Sequence, residues 1–296
     1  MVHLILTGAT GLVGSAVLSH ILSLPASATP SITRLSILSR NPDISLLSDP
    51  PPTGMPPRAN RHTTIEVIEH KDFGNYPSEL LDRLGGADAC IWALGVSQND
   101  VPKGKYVEVT KDYTIAAAKA FAGLRGGINA STDDGGDGGQ AGNDLSSQKF
   151  KFIYVSGEGA TQTPGRFTPL FGRVKGETET ALINLAKAPS LRGRLDVYSV
   201  RPAGVDGTNQ PWIWKKIMRD QRSPFQSVML KSLLPPIRVL GKESWLSPTE
   251  ELGRVLVEMA LSEKDDGYRG EGVSGEDGRI LGNVVLRRLG REGRRE

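Results

Sequence analysis

The sequence contains a single cysteine, Cys90, among its 296 residues. One thiol excludes an intrachain disulfide and any metal site built from several cysteines, and this usage predicts a reducing compartment. The four histidines, His3, His20, His62 and His70, are scattered along the chain. Because they lack the spacing of metal ligands, no metal site is predicted.

Long apolar runs and a strong charge of one sign are also missing. No stretch approaches the roughly 20 apolar residues that a membrane-spanning helix needs. The apolar start at residues 2–6 runs directly into glycines, without the pattern of a signal peptide. The 36 Lys and Arg residues against 33 Asp and Glu give a formal charge of +3, which does not indicate nucleic acid as a partner. We therefore expect a cytoplasmic protein without an integral membrane segment. The sequence leaves its oligomeric state open.

Short apolar runs alternate with longer segments of helical period, which is typical of a parallel sheet covered by helices on both faces. The predicted strands are residues 2–6, 34–38, 64–68, 89–93, 151–155 and 196–200, with a final strand near 280–286. This pattern predicts an α/β fold with a Rossmann-type doubly wound parallel sheet. A ligand would bind at the carboxyl ends of the strands.

We expect one domain over residues 1–296. Residues 49–62 are proline-rich and residues 125–148 are dominated by Gly, Asp, Asn and Ser, so both are predicted to be surface insertions. A polar, Gly-rich segment at 264–277 is predicted to link a late helix to the final strand. The arginines clustered at 287–294 are interpreted as a solvated tail.

The segment TGATGLVG follows the first predicted strand and leads into a predicted helix. Gly8 permits a tight turn, Gly11 lets the backbone approach a pyrophosphate, and Gly14 allows close packing of helix on strand. The free amides and the positive end of the helix dipole favour an anion at this point. The turn therefore predicts a dinucleotide site. Its predicted contacts are Gly8, Thr10, Gly11, Leu12, Val13 and Gly14.

The second predicted strand ends in SILSRNP, where an NAD-specific fold usually carries an acidic residue that bonds the ribose 2′-hydroxyl. Arg40 stands there instead. A guanidinium can pair with a 2′-phosphate, so NADP(H) is favoured over NAD(H). Asp72, just after the third strand, could reach the adenine amino group or could be an ordinary turn aspartate.

Several motifs together resemble one known family, the atypical short-chain dehydrogenase/reductases, and within it the Tat-interacting-protein-like oxidoreductases. They are the TGATGLVG turn, Arg40, ALG at 93–95, KDY at 111–113, FIYVSGEGA at 152–160, VKGETE at 174–179 and YSVRPAGV at 198–205. The resemblance covers most of the chain. It implies a core that binds NADP(H), formed mainly by residues 1–202, and a small C-terminal substrate lobe with closing elements, formed mainly by residues 203–296. The further cofactor contacts predicted with it are Ala93, Leu94, Gly95, Lys175 and Pro202.

The family's catalytic groups are a Ser or Thr after the fifth strand and a Tyr-x-x-x-Lys helix. The phenol moves a proton as hydride transfers, while the lysine lowers the phenol pKa and holds the nicotinamide ribose. Lys175 matches the lysine, but Phe171 stands at the tyrosine position, and a benzene ring cannot exchange a proton. The strand ends in Ser156-Gly157 where the family commonly has two serines. Ser156 remains the candidate hydroxyl donor.

Other polar groups near this point have two interpretations each. Tyr154 and Tyr113 are interpreted as packing residues, on a strand and an earlier helix. Glu158 and Arg173 could supply an acid or base, or they could be exposed or structural. The segment PWIWKK at 211–216 is predicted to be an amphipathic helix that packs its tryptophans, with a lid over the substrate as the alternative.

Three functions are compatible with these residues. The first is an NADP(H)-dependent oxidoreductase for a small organic carbonyl or alcohol, in which Lys175 and Ser156 help and water or another group replaces the phenol. The second keeps the cofactor site but catalyses a non-redox isomerisation, cyclisation or elimination, because Phe171 replaces the tyrosine. The third is a regulatory or binding protein that senses the cofactor.

Overall fold

A computed structural model describes residues 1–28, 31–126, 149–220, 245–263, 266–275 and 277–293. The strands are β1 (Val2–Thr7), β2 (Ile32–Ser39), β3 (Thr64–Glu69), β4 (Ala89–Trp92), β5 (Phe150–Val155), β6 (Leu195–Arg201), β7 (Gly204–Asp206), β8 (Leu246–Pro248), β9 (Val273–Ser274) and β10 (Ile280–Gly282). The helices are α1 (Leu12–Ser23), α2 (Ser78–Arg83), α3 (Lys103–Val107), α4 (Tyr113–Phe121), α5 (Leu170–Lys187), α6 (Pro211–Asp220), α7 (Thr249–Leu261) and α8 (Asn283–Glu292). A π-helical turn, Glu108–Asp112, joins α3 to α4.

The main sheet has eight strands in the order β3-β2-β1-β4-β5-β6-β10-β9. All neighbouring pairs are parallel except β10 and β9, which are antiparallel. The order reverses between β1 and β4, which is the switch point of a doubly wound sheet. The predicted α/β fold is therefore confirmed, and the six predicted core strands lie within two residues of the observed ones.

Helices cover both faces of the sheet because the core strands are apolar on both sides. Leu4 and Leu6 of β1 pack on the face that carries α1 and α7, whereas Ile5 between them packs on the face that carries α4 and α5. Cys90 of β4 is buried in the second cluster as a free thiol. One hydrophobic cluster therefore packs on each face of the sheet. Because the core strands are parallel, their carboxyl ends lie at the same edge.

The prediction of a strand over residues 280–286 is wrong beyond residue 282. Strand β10 ends at Gly282, and helix α8 begins at Asn283. Val285 and Leu286 are both buried while Val284 is 41% exposed, a helical rather than an alternating pattern. Val284 and Val285 are β-branched, and so short an apolar run did not reveal the helical period in the sequence.

The interpretation of the arginine cluster as a solvated tail is also wrong for its first members. Arg287 lies on α8 and pairs with Glu251 of α7, and Arg288 donates to the carbonyl oxygen of Arg269. Helix α8 therefore packs against α7 on one face of the sheet and does not extend into solvent.

The predicted insertion at 49–62 contains no helix or strand, as expected. Residues 127–148 of the second predicted insertion lie outside the described residues.

Helix α6 contains the PWIWKK segment. Trp214 packs against Leu12 with only 8% of its surface exposed, so the tryptophan-packing interpretation of the segment is confirmed for this residue. Within the described ranges no helix has the length and apolarity to cross a membrane, and no three His, Cys, Asp or Glu side chains cluster as metal ligands.

Candidate cofactor site and the adjoining pocket

The glycine turn connects β1 to α1 at the switch point of the sheet. Gly8 has φ +68°, and a Cβ there would lie 2.3 Å from the carbonyl oxygen of Ala93. A Cβ at Gly14 would lie 2.1 Å from the carbonyl oxygen of Gly8. The protein's own backbone therefore excludes side chains at both positions, which agrees with the roles predicted for them.

Gly11 differs from its two neighbours in the motif. Its φ of −85° and ψ of 170° are open to any residue, and the nearest atom to an added Cβ is the oxygen of Gly8 at 3.3 Å. Gly11 precedes α1 without a side-chain cap, and the first turn of α1 carries no acidic residue. The amides of Leu12, Val13 and Gly14 thus form an uncapped helix N-terminus suited to an anion.

A cavity of 340 Å³ lies beside this turn, at the carboxyl ends of β1 and β2. Gly8, Thr10, Arg40 and Leu94 line it as predicted. Arg40 is exposed, and within the described part of the chain no hydrogen bond or ion pair engages its guanidinium. The sequence reasoning did not identify the other lining residues, although the first three belong to the segment that indicated Arg40. They are Leu38, Ser39, Asn41 and Phe73.

The remaining residues predicted at this edge take different positions. Asp72 accepts a 3.0 Å hydrogen bond from the amide of Gly74, the geometry of a turn aspartate. The amide of Leu94 donates to the Thr7 hydroxyl at 3.2 Å, which ties the end of β4 to β1. Gly95 is exposed with open space around it.

Lys175 lies on α5, facing the end of β5. Its Nζ donates to the carbonyl oxygens of Ser156 at 2.6 Å and Val155 at 3.2 Å. Burial lowers the pKa of Lys175 to about 8, and the charge of Glu179 opposes that shift. The ammonium is also 5.4 Å from the centre of the Phe171 ring. The structure therefore brings Lys175, Ser156 and Phe171 together.

Phe171 packs directly on Gly157. A Cβ at Gly157 would lie 2.8 Å from Cζ of the Phe171 ring, so the ring occupies the space of a side chain at that position. The hydroxyl of Ser156 is buried and makes no hydrogen bond. Phe171 supplies no phenol here, and the Ser156 hydroxyl is not exposed.

Two further interactions position α5, and the sequence reasoning missed both. The side-chain oxygen of Gln98, in the loop after β4, accepts a 2.8 Å hydrogen bond from the amide of Phe171. Glu179 is fully buried and accepts from Arg201 through both carboxylate oxygens, at 2.9 and 2.5 Å. The spacing of 171, 175 and 179, one turn apart each time, was the available signal for Glu179.

Pro202 and Glu158 connect β5 and β6 to α8. The Pro202 carbonyl accepts from the Glu158 amide at 2.8 Å, and the Glu158 carboxylate accepts from the Asn283 amide at 3.3 Å. Glu158 therefore has a structural contact at the start of α8. Arg173 donates to the carbonyl of Gly165 at 3.2 Å.

The two tyrosines lie where the sequence placed them. Tyr154 is buried in β5, and Tyr113 at the start of α4 donates a 2.5 Å hydrogen bond to Glu108. In the residues described, neither phenol replaces the one missing at Phe171.

Comparison with known proteins identifies one relative that matches nearly the whole chain and a second that matches about half of it. The chain is 31% identical to leucinostatins biosynthesis cluster protein T of Purpureocillium lilacinum, over 96% of this chain and 94% of that protein. It is 40% identical over 146 residues to botcinic acid biosynthesis cluster B protein 16 of Botryotinia fuckeliana, covering 47% of this chain and 85% of that protein. No model of a known protein family matches.

Solved structures share the fold at low identity. A short-chain type dehydrogenase/reductase from Mycobacterium ulcerans superposes with a TM-score of 0.56 and 14% identity, over 95% of this chain and 87% of that one. A short-chain dehydrogenase/reductase family oxidoreductase from Burkholderia thailandensis gives 0.55 and 14%, over 100% and 98%. The chain therefore belongs to the family of leucinostatins biosynthesis cluster protein T, and it has the Rossmann-type fold of short-chain dehydrogenase/reductases.

Proposed function

We propose that the protein is an NADP(H)-dependent oxidoreductase that acts on a small organic carbonyl or alcohol in secondary metabolism. The observation that carries the proposal is Gly11. The protein's own packing forbids a side chain at Gly8 and Gly14, whereas a Cβ at Gly11 would make one tight contact, 3.3 Å from the Gly8 oxygen, in a backbone conformation that other residues adopt. A ligand that approaches the backbone at Gly11 would explain why this position also carries glycine.

The residues around the turn match the parts of this cofactor. The amides of Leu12, Val13 and Gly14 would hold the pyrophosphate, with Thr10 at the edge of the cavity. Arg40, which no described carboxylate neutralises, would pair with the 2′-phosphate. The nicotinamide ribose would lie beside Lys175, Pro202 and the 93–95 segment. NADPH, when bound, supplies a hydride.

Lys175 is the group we assign to proton transfer in place of the phenol. Its ammonium uses two N–H groups on the Val155 and Ser156 carbonyls. The third can donate to a substrate oxygen or to a water that bridges to it. With its pKa near 8, the group can release and regain a proton close to neutral pH.

The names of the two relatives support a substrate from secondary metabolism. Both are described as biosynthesis cluster proteins, one for leucinostatins and one for botcinic acid. The substrate of this protein would then be a natural-product intermediate that carries a carbonyl or hydroxyl group.

A non-redox isomerase, cyclase or lyase is the second candidate. It is favoured by the packing of Phe171 on Gly157, which removes both hydroxyl positions and leaves an apolar surface next to Lys175. Lys175 would then exchange a proton with the substrate while the dinucleotide forms part of the pocket wall.

Cofactor titration tests the shared site first. We expect tryptophan fluorescence to report NADPH binding at least about tenfold tighter than NADH binding, because one charge-assisted phosphate pair is lost with NADH. Arg40→Asp should abolish that preference, whereas Arg61→Asp, at another exposed arginine, should retain it. Failure of the wild type to bind either dinucleotide would contradict both candidates.

Turnover then separates the candidates. The wild-type protein is assayed with NADPH against aldehydes and ketones, and with NADP⁺ against the corresponding alcohols. Consumption or formation of NADPH supports the oxidoreductase. If only Phe171→Tyr turns over, the natural protein is not a redox enzyme of this kind and the non-redox candidate stands.

A further inference from the structure

The start of helix α5 receives a hydrogen bond from a side chain that lies far away in sequence. The residue before the helix is Pro169, whose side chain has no group that can accept a hydrogen bond, and the first turn carries no acidic residue. The first amides of a helix need acceptors from outside it. Gln98 supplies one of them, because its Oε1 accepts the 2.8 Å hydrogen bond from the amide of Phe171.

Gln98 belongs to the loop that begins with the predicted cofactor contacts at 93–95. Leu94 lines the cofactor cavity, and its amide donates to the hydroxyl of Thr7, which directly precedes the glycine turn. The beginning of the loop is therefore tied to the end of β1. Only three residues separate Leu94 from Gln98. Extended chain of that length reaches at most about 14 Å, so the Gln98 backbone lies within this distance of the cavity wall at Leu94.

The hydrogen bond acts on the residue whose ring lies beside Lys175. The Phe171 ring packs on Gly157 and has its centre 5.4 Å from Nζ of Lys175. Lys175 follows Phe171 by four residues, about one helical turn, so a shift of the helix start moves both side chains against the end of β5. Gln98 therefore connects the loop after β4 to the part of α5 that carries Lys175.

We propose that Gln98 is a positioning residue for the reaction. It fixes the start of α5 relative to a dinucleotide that lies along the 93–95 segment. Through Phe171 it sets where the Lys175 ammonium lies beside the nicotinamide ribose, and it takes no part in proton or hydride transfer itself. This inference rests on the proposed function, because it assigns to Gln98 a distance that matters only when the dinucleotide is bound.

The test follows the amide of Phe171 in protein labelled with ¹⁵N-phenylalanine, where its signal among the seven is the one lost in Phe171→Leu. Gln98→Met keeps the length of the side chain but removes the carbonyl acceptor, so this amide should exchange with D₂O at least about fivefold faster. Gln98→Glu keeps an acceptor, and its charge suits a helix N-terminus, so the exchange rate should stay within about twofold of the wild type. Gln162→Met, at an exposed glutamine in the loop before α5, is the matched control and should also keep the wild-type rate.

NADPH then separates positioning from stability. Saturating NADPH should shift the Phe171 amide signal in the wild type, in Gln98→Glu and in Gln162→Met. In Gln98→Met the shift should fall by at least about half, although the Kd for NADPH changes less than about threefold. A glutamine that only stabilised the fold would leave this response unchanged. Melting temperatures establish that the variants are folded, and Gln98→Asn, whose amide is one methylene shorter, replaces Gln98→Met if that variant is not.

Equal exchange rates of the Phe171 amide in the wild type and Gln98→Met, or equal responses to NADPH, would overturn the proposal. NADPH binding that leaves the wild-type signal unmoved would also overturn it, while the proposed function would stand. Absence of NADPH binding would overturn both.

Discussion

Three glycines of one motif are required for two different reasons. Gly8 and Gly14 meet backbone atoms of the protein at 2.3 and 2.1 Å from an added Cβ, whereas Gly11 meets one only at 3.3 Å. The first two positions therefore concern folding. Under the proposed function, the third concerns the cofactor that approaches the turn.

Alanine at Gly11 and at Gly14 should accordingly separate binding from stability. Gly14→Ala is expected to lower the free energy of unfolding by about 1–3 kcal/mol, because the methyl group overlaps the Gly8 oxygen. Gly11→Ala should change it by less than about 1 kcal/mol yet weaken NADPH binding at least about tenfold. Urea unfolding and fluorescence titration measure the two quantities. Unchanged NADPH affinity in Gly11→Ala would remove the observation on which the proposed function depends.

The lysine at the same edge should make the reaction depend on pH. If the ammonium of Lys175 donates the proton, carbonyl reduction falls about tenfold per pH unit above about 8. Lys175→Met should remove that limb together with most of the activity. A rate that stays level to pH 10 would contradict the assignment of the acid.

The same shift predicts a change in stability of known sign. The folded state releases the Lys175 proton near pH 8, while the unfolded chain keeps it to the ordinary value of 10.5. The unfolded state thus binds more protons between these values, so the Lys175 contribution to stability rises with pH there. Lys175→Met should lack this rise in urea unfolding series.

At the scale of elements, α5 meets the end of β5 through a contact between Phe171 and Gly157. Gly157→Ser is expected to cost about 1–3 kcal/mol of unfolding free energy, since its Cβ would lie 2.8 Å from the ring. In a Phe171→Ala background the same change should cost almost nothing. The control is Gly165→Ser, where the nearest atom to a Cβ is 4.0 Å away. Additive effects of the two substitutions would mean that the residues are not coupled.

Helix α8 is the second element whose attachment can be tested. Arg287 and Glu251 are 17% and 9% exposed, so removing the arginine leaves a carboxylate that is poorly hydrated. Arg287→Ala should lower the unfolding free energy by about 1–3 kcal/mol. Glu292→Ala, at an exposed position of the same helix, should have a much smaller effect in the same urea titration. Equal effects would indicate loss of helix propensity rather than loss of the ion pair.

At the scale of the whole molecule, the sheet collects segments that are distant in sequence at one edge. Residues 8–14, 40 and 93–95 follow β1, β2 and β4, and Lys175 faces the end of β5. A ligand that spans this edge must stabilise the whole sheet.

NADPH at about 100 times its Kd should therefore raise the free energy of unfolding by about 2.7 kcal/mol. NADH at the same concentration should raise it less, and Gly11→Ala should lose most of the effect. Thermal or urea unfolding measures each case. Arg61→Asp, at an exposed arginine outside the cofactor cavity, should keep the full NADPH effect.

The sequence by itself determined the architecture and predicted four of the residues that line the cavity at the ends of β1 and β2. Apolar runs of strand length, a glycine turn and Arg40 are local signals, and the sheet order follows from right-handed βαβ connections. The same local reasoning failed at residues 283–286, where a short apolar run is compatible with strand and helix alike. The division at residue 203 into core and substrate lobe stays a prediction.

Only the tertiary structure decided how the reactive end is built. That Phe171 fills the space above Gly157, that Gln98 holds the start of α5, and that Glu179 pairs with Arg201 are contacts between residues 14 to 73 positions apart. Such contacts depend on how the helices pack on the sheet, and no local sequence pattern predicts them. Sequence could show which hydroxyls were absent, whereas packing showed what occupies their place.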